Sequence, residues 1–227
     1  FLIEHTYRAA EQSRLADQVF VATDSREIAQ AVESFGGVAV MTSTSHVSGC
    51  DRIAEAALKI EAEIVVNLQG DEPEISPDSI DFLIRMLLTN PQASVATLCC
   101  PIQDEAELND PSCVKVVFDG NRRALYFSRS PIPCPRDPKF QTVYFQSRQF
   151  ASAACFFRHI GVYAFRRDSL LQLPRLAKCQ IEQVEKLEQL RFLYAGWEIL
   201  VGIVEHAPAG IDTPGDYALF VNRWKNR

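Results

Sequence analysis

Over its first ninety residues the chain alternates short apolar runs with stripes of helical period. Phe1–Ala10 predicts a helix, with Leu2, Ile3, Thr6, Tyr7 and Ala10 in one amphipathic stripe. Gln18–Thr23 (QVFVAT) is apolar and β-branched and predicts a strand. Asp24 or Ser25 can cap the next helix, whose apolar positions Ile28, Val32 and Phe35 recur at i, i+4 and i+7. Gly36-Gly37 ends it, because glycine tolerates the left-handed position past a helix. Val38–Met41 predicts the next strand. A polar loop then leads to a helix starting near Asp51, with Ile53, Ala57 and Ile60 on one face. Ile64–Leu68 predicts the third strand. From Pro77, with Ser76 as N-cap, a stripe of Ile80, Leu83, Ile84, Leu87 and Leu88 predicts a full helix. Strands separated by helices of about 10–12 residues imply parallel βαβ units.

The rhythm changes after Ala93. Ser94–Cys100, Val114–Phe118 and Ala124–Phe127 predict strands with little helix between them, and Asp119-Gly120 closes a hairpin. Ser130–Lys139 carries four prolines and predicts irregular structure. Phe156–Phe165 returns as a strand. Ile181–Ala195 predicts one helix, ended by Gly196, with Glu182 and Lys186 spaced for an i,i+4 pair. Ile199–Val204 and Pro214–Trp224 predict a last strand and a closing helix. The expectation is α/β: a mixed sheet flanked by helices, in a single domain over 1–227, with a proline-rich excursion and dimer segment at about 128–155.

Composition narrows the function. An apolar share of 47% and a charged share of 23% are ordinary for a globular chain. A net charge of −6 speaks against a general nucleic-acid binder. No apolar run approaches the ~18–20 residues of a membrane span, and Glu4, His5 and Arg8 break the opening apolar residues, unlike a signal peptide. Seven cysteines at irregular spacing, with no C-x-x-C pair, read as free thiols in a reducing, cytoplasmic setting.

The richest motif is Asn67–Ile75 (NLQGDEPEI), which follows the third strand. An acidic loop at the carboxyl end of a parallel strand is where open α/β sheets place ligands. Asp71 and Glu72, beside Gln69 and Gly70, form either an acidic surface turn or an oxygen-ligand site for Mg²⁺. His46–Arg52 (HVSGCDR) is either a helix cap or a loop whose backbone meets a ligand at Gly49. Arg129, just past a strand, is either a surface arginine or the fork for a carboxylate. In Arg158–Tyr163 (RHIGVY), His159, Gly161 and Tyr163 fall on one strand face. Glu188 and Gln189, adjacent in one helix, project about 100° apart. Asp212 is either a helix cap before Thr213-Pro214 or a second metal ligand facing Asp71.

In order, the segments VATD (from Val21), GG, MTS-x-x-H-x-SG-x-x-R, VN-x-QGDEP, VKVVFD, ALYFSR, RHIGVYAFR, LEQLR and IDTP resemble the CMP-Kdo synthetases, or 3-deoxy-manno-octulosonate cytidylyltransferases. The resemblance spans nearly all of the chain. It implies a nucleotide-diphospho-sugar transferase fold acting as a homodimer, which joins CTP to Kdo with release of pyrophosphate for lipopolysaccharide biosynthesis. By position, Asp71 and Asp212 would hold Mg²⁺ at the catalytic centre. Gln69, Arg129, His159, Tyr163, Glu188 and Gln189 would line the sugar pocket, and Ser48, Gly49 and Arg52 would lie near the cytidine. Cys50 stands where the family has Thr, and Gly215 where an acidic residue is usual. Val143–Ala154 aligns poorly. Family members open with a strand and a loop of the form RxxSxRLPGKPL that clamps the triphosphate, and Phe1 aligns after that loop. The expectation is a sheet lacking its first strand, with low stability and no pyrophosphate release for residues 1–227 alone. The alternatives are a cytidylyltransferase for another acidic sugar, or a catalytically silent protein that keeps the fold.

Overall fold

Ser25 divides the first strand from the helix after it, because its hydroxyl accepts the Ile28 N–H at 3.3 Å and so satisfies a helix-start donor. The computed structural model describes residues 1–46, 48–147, 154–206, 210–211 and 213–225. The elements run α1 (Leu2–Glu11), β1 (Val21–Thr23), α2 (Arg26–Ser34), β2 (Ala39–Met41), α3 (Gly49–Leu58), β3 (Ile64–Asn67), α4 (Pro77–Thr89), β4 (Val95–Pro101), α5 (Glu105–Asn109), β5 (Lys115–Phe118) and β6 (Ala124–Ser128). They continue with α6 (Pro138–Ser147), β7 (Phe157–Arg166), α7 (Arg167–Gln172), α8 (Gln180–Glu185), α9 (Gln189–Tyr194), β8 (Ile199–Ile203) and α10 (Pro214–Lys225). The chain divides into two compact units: Phe1–Glu61 with Asn67–Phe82 and Pro208–Arg227, and Ala62–Val66 with Leu83–Ala207.

In the first unit, β1 and β2 pair in parallel, with Val21 opposite Ala39 and Thr23 opposite Met41. α1 buries Thr6, Tyr7 and Ala10, three of the five predicted stripe positions. The Tyr7 hydroxyl bonds both strand entries, donating to the Val19 carbonyl and accepting the Val38 N–H, each at 3.3 Å. Gly36 ends α2 at φ +83°, which supplies the left-handed turn the sequence requires there. α3 begins at Gly49, two residues before the expected start, because Ser48 takes the cap by accepting the Asp51 N–H at 3.1 Å. Its buried face is Cys50, Ala54, Ala56 and Ala57; Ile60 lies past its end.

The second unit holds a sheet of order β6-β5-β7-β4-β8, with β3 paired to β7. β7 runs antiparallel to β4, and β8 parallel to it. The expected run of parallel βαβ units therefore gives two sheets, one of them mixed. Val95, Ala96, Leu98, Cys99, Val162, Ala164, Phe165 and Val201 fill the core, and all seven cysteines are free. β5 and β6 form the predicted hairpin, yet the left-handed residue is Arg122 at φ +65° rather than Gly120. The Asp119 carboxylate drives the turn, accepting the N–H groups of Asn121 and Arg123 at 2.8 and 2.9 Å.

Three further expectations are corrected. The proline-rich excursion is irregular only to Asp137; α6 then starts at Pro138, a residue tolerated in a first helical turn. Its Tyr144 packs with Ile102, Leu108 and Phe156. In α4 the stripe holds at Ile80, Leu83, Ile84 and Leu87, whereas Leu88 is exposed. The single helix expected over 181–195 is two helices, because Lys186 adopts φ +55° between them. Glu182 and Lys186 therefore make no i,i+4 pair. Glu182 is buried and pairs with Arg191 of α9, while one of its oxygens accepts the Cys179 N–H at 3.3 Å. Burial alone would raise the Glu182 carboxyl, but the Arg191 guanidinium and the Cys179 N–H outweigh it and lower its pKa.

Removing one partner of a buried pair leaves the other charge uncompensated. Glu182→Ala is expected to destabilise the fold by about 3–5 kcal/mol, read as a lower urea midpoint with unchanged slope. Glu182→Leu combined with Arg191→Met should recover most of that loss. A Glu182→Ala midpoint equal to that of the parent would contradict the assignment.

Candidate active site

Two groups of predicted residues are found, one in each unit. In the first unit they gather at the carboxyl ends of β1 and β2. Arg52, from the second turn of α3, donates to Asp24 Oδ2 at 3.0 Å and to Thr42 Oγ1 at 2.8 Å, just past the two strands. The Arg52 bond lowers the Asp24 pKa. The loop after Thr42 is held by Glu55, which accepts the Ser43 N–H at 2.8 Å and bonds His46 Nε2 at 2.5 Å. Those bonds, Ser43 first, bring the Glu55 carboxyl down to about 2. Gly49 faces Gln69: a Cβ there would stand 3.7 Å from the Gln69 amide nitrogen. Gln69, which the resemblance groups with the sugar residues, is thus a neighbour of Ser48 and Gly49.

Asp71 follows in the same loop. It is half-buried, and among the described residues its carboxylate has neither a hydrogen bond nor an ion pair. Its carbonyl accepts the Ile211 N–H at 2.9 Å, and a Cβ on Gly210 would meet Glu72 Oε1 at 3.3 Å. Asp212 itself lies outside the described residues. Among those described, no three His, Cys, Asp or Glu side chains gather as a metal cage. Mg²⁺ needs no such cage, since one or two carboxylates plus substrate phosphates suffice. An oxygen donor with no cation paired to it among the described residues fits that ion.

In the second unit, the end of β6, β7 and the start of α9 carry the other predicted sugar residues. Arg129 stands just past β6. Its Nε donates to the Glu185 carbonyl at 2.7 Å and its Nη1 to the Pro111 carbonyl at 2.9 Å. The Glu185 carboxylate instead accepts the Arg129 backbone N–H at 2.9 Å and the Ser128 hydroxyl at 2.7 Å. The guanidinium is therefore held by carbonyls, and among the described residues no carboxylate pairs with it. Lys115 repeats this pattern. It is fully buried, and its Nζ donates to the carbonyls of Asp110 and Cys113 at 2.9 and 2.6 Å. Burial lowers its pKa.

His159 lies edge-on to Phe127 of β6, with ring centres 4.9 Å apart, and 5.5 Å from the Tyr163 ring. The alternation of RHIGVY thus brings His159 and Tyr163 together, although the β4–β7 register shifts between Thr97 and Leu98. Burial pushes the His159 pKa down to about 3, so the ring is neutral. Glu188 and Gln189 are not mid-helix residues: Glu188 is the N-cap of α9 and Gln189 its first residue. α9 packs on β6. Among the described residues Glu188 Oε1 is buried without a hydrogen bond, and Arg191 Nη2 stands 3.6 Å from it. Gln189 is buried too, and its amide makes no hydrogen bond among the described residues. A buried acceptor without a donor is costly unless a ligand supplies one.

Nothing in the sequence pattern pointed to Glu185 or Thr97, whose roles depend on pairings between distant segments, or to Lys115, whose carbonyl partners lie five and two residues away. Asp24 was legible only as a possible cap. Once Ser25 takes that place, Asp24 is left for Arg52.

The family model described as Cytidylyltransferase matches residues 1–199. A protein of Rhodopirellula baltica named 3-deoxy-manno-octulosonate cytidylyltransferase is 44% identical over 223 residues, covering 98% of this chain and 87% of its own length. One of the same name from Thermodesulfovibrio yellowstonii is 46% identical, covering 95% of this chain and 84% of its own length. Among solved structures, a CMP:2-keto-3-deoxy-manno-octonic acid synthetase complexed with CTP superposes with a TM-score of 0.89 at 41% identity, covering 99% of this chain and 88% of that one. Matches of this extent and identity settle the kinship: this chain belongs to the cytidylyltransferase family, alongside the 3-deoxy-manno-octulosonate cytidylyltransferases.

Proposed function

We propose that the protein transfers a cytidylyl group from CTP to 3-deoxy-manno-octulosonate, releasing pyrophosphate. The observation that carries this is the 41% identity, over 99% of the chain, to a synthetase of that product solved with CTP. The site chemistry supports it. The sugar is a carboxylate, and Arg129 offers a guanidinium that carbonyls orient and no described carboxylate neutralises. Neutral His159, the amide of Gln189 and the Oε1 of Glu188, which accepts no hydrogen bond among the described residues, suit hydroxyl groups. Gln69, Tyr163, Ser48, Gly49 and Arg52 keep the roles that the resemblance implies, with Arg52 setting the loop rather than offering a free charge.

In this reading the anomeric hydroxyl oxygen bonds to the α-phosphorus. The bond from that phosphorus to the bridging oxygen breaks in line, pyrophosphate leaves with the electron pair, and the hydroxyl proton passes to solvent. Asp71 and Asp212 would hold Mg²⁺, which neutralises triphosphate charge and lowers the pKa of the attacking hydroxyl. The resemblance further supports a homodimer, a cytoplasmic setting and a place in lipopolysaccharide biosynthesis. α6, in the expected dimer segment, exposes Phe140 and Val143.

Pyrophosphate release that needs both CTP and the octulosonate tests the reading, and release with a sialic acid instead would replace it. Arg129→Lys removes the fork while keeping the charge. It is expected to raise the sugar KM roughly 10- to 150-fold, the equivalent of about 1.5–3 kcal/mol for a hydrogen bond to a charged group, with the CTP KM unchanged. A defect confined to CTP would refute the assignment.

Asp71→Asn keeps the shape and removes the charge. Since the carboxylate bonds no described protein group, turnover should vanish while Tm barely moves. Loss of folding instead would make Asp71 structural.

The depressed His159 pKa sets a pH expectation. In the unfolded chain the ring titrates near ~6.5; in the folded protein it stays neutral down to about 3. The unfolded state therefore binds the extra proton in that window, and stability falls as pH drops from about 6.5 towards 3. His159→Gln should flatten that fall, measured by thermal unfolding at several pH values. Between pH 5 and 8 the sugar kcat/KM profiles of parent and variant should share the same limbs. A limb near 6.5 that disappears in the variant would show that His159 ionises during turnover.

A further inference from the structure

Thr97 carries one hydroxyl hydrogen and stands where β4 and β7 lose register. Its Oγ1 lies 2.8 Å from the Val162 carbonyl, 3.2 Å from the Ile160 carbonyl and 2.9 Å from His159 Nε2. Carbonyl oxygens only accept, and two oxygens 2.8 Å apart repel unless a hydrogen lies between them. The hydroxyl hydrogen therefore belongs to a carbonyl, with Val162 the nearer. Thr97 is fully buried, so bulk water does not stand in for a partner. With its hydrogen so placed, Oγ1 can only accept from the ring, and His159 Nε2 must bear the hydrogen. In a neutral imidazole the other nitrogen is then an acceptor. His159 Nδ1 makes no hydrogen bond among the described residues and is not among their sealed, unpartnered atoms. Phe127 and Tyr163 hold the ring plane.

We propose that Thr97 is a positioning residue that locks His159 in the Nε2–H tautomer and so presents Nδ1 as an acceptor to a hydroxyl of the sugar. The proposal rests on the sugar-side reading above. It adds a rule of selectivity: at this position the substrate must bring a donor. A methylated hydroxyl there meets a lone pair and is refused. The register shift is what makes the lock possible, because it turns two carbonyls towards one hydroxyl and uses up its only hydrogen.

The test is the ring itself. Nitrogen-15 NMR of protein labelled at its four histidines, with His159 identified by the signal missing in His159→Gln, reports which nitrogen is protonated. The parent is expected to show Nε2–H alone. Thr97→Val, near in shape but without the hydroxyl, should lose the single tautomer and raise the sugar KM roughly 3- to 10-fold, the loss of one neutral hydrogen bond, with the CTP KM unchanged. Thr97→Ser should restore both. An Nδ1–H signal in the parent overturns the proposal whether or not any variant folds, and so does a Thr97→Val ring that keeps its tautomer. A tautomer that moves with no change in sugar KM overturns the sugar-facing role of Nδ1. If His159→Gln also leaves the sugar KM unchanged, the failure lies in the sugar-side reading itself.

Discussion

The buried pair between Glu182 and Arg191 is the constraint on which the second unit's site depends. Two helices meet there at a left-handed residue, Lys186, that has a side chain and so resists the turn. Continuing the helix through Lys186 would project Glu182 and Arg191 along one rod, nine positions apart, beyond each other's reach. Breaking it folds α9 back so that the guanidinium meets the carboxylate. The same break brings Glu188 to a helix start and Gln189 into a buried position. It also frees the Glu185 carbonyl and carboxylate to hold Arg129. The charged pair thus sets the geometry of three residues in the candidate site, Glu188, Gln189 and Arg129.

The first unit uses the same device on a smaller scale. Arg52 ties Asp24 to Thr42, so that the ends of two short parallel strands and a helix share one guanidinium. Strands of three residues bury little surface of their own. Directional bonds at their carboxyl ends compensate by fixing the loops where open sheets bind ligands. Glu55 does the same for the loop that runs from Ser43 to His46. These groups are partnered within the protein, whereas among the described residues the Asp71 carboxylate is not. That contrast separates residues that shape the loops from the one proposed to meet a cation.

Local chemistry was legible in the sequence wherever a residue acts on its own neighbours. Ser25 caps, Gly36 and Gly196 turn, and the stripe of α4 is buried except at Leu88, because each depends on helix geometry alone. Much of what could not be read depends on distant partners. Glu182 looked like half of a surface pair with Lys186, since i,i+4 spacing is visible and a nine-residue return is not. The left-handed positions at Arg122 and Lys186 were hidden because neither residue prefers them. At Arg122 the bonds to Asp119 enforce the turn, and at Lys186 the buried pair does. The helix after Pro138 was masked by the prolines before it. Thr97 was one more residue in a buried strand until the register shift gave its hydroxyl three neighbours.

The distribution of partners among the cations carries the last step. The chain has 29 carboxylate side chains against 23 lysines and arginines, so acids are available to pair with any cation. Arg191 and Arg52 take them. Arg129 and Lys115 are held by carbonyls instead, although Glu185 lies close enough to bond the Arg129 backbone. A carbonyl orients a cation through a dipole but leaves its net charge uncancelled, and at reduced dielectric that charge acts over several ångströms. A guanidinium paired to a protein acid would have to lose that acid before accepting a substrate carboxylate. One framed by carbonyls is already in place, with its charge intact and little rotamer freedom left to lose. The Glu185 carboxylate turns to the main chain and Ser128, which fixes the position of Arg129 without cancelling its charge, as the proposed role toward an acidic sugar requires.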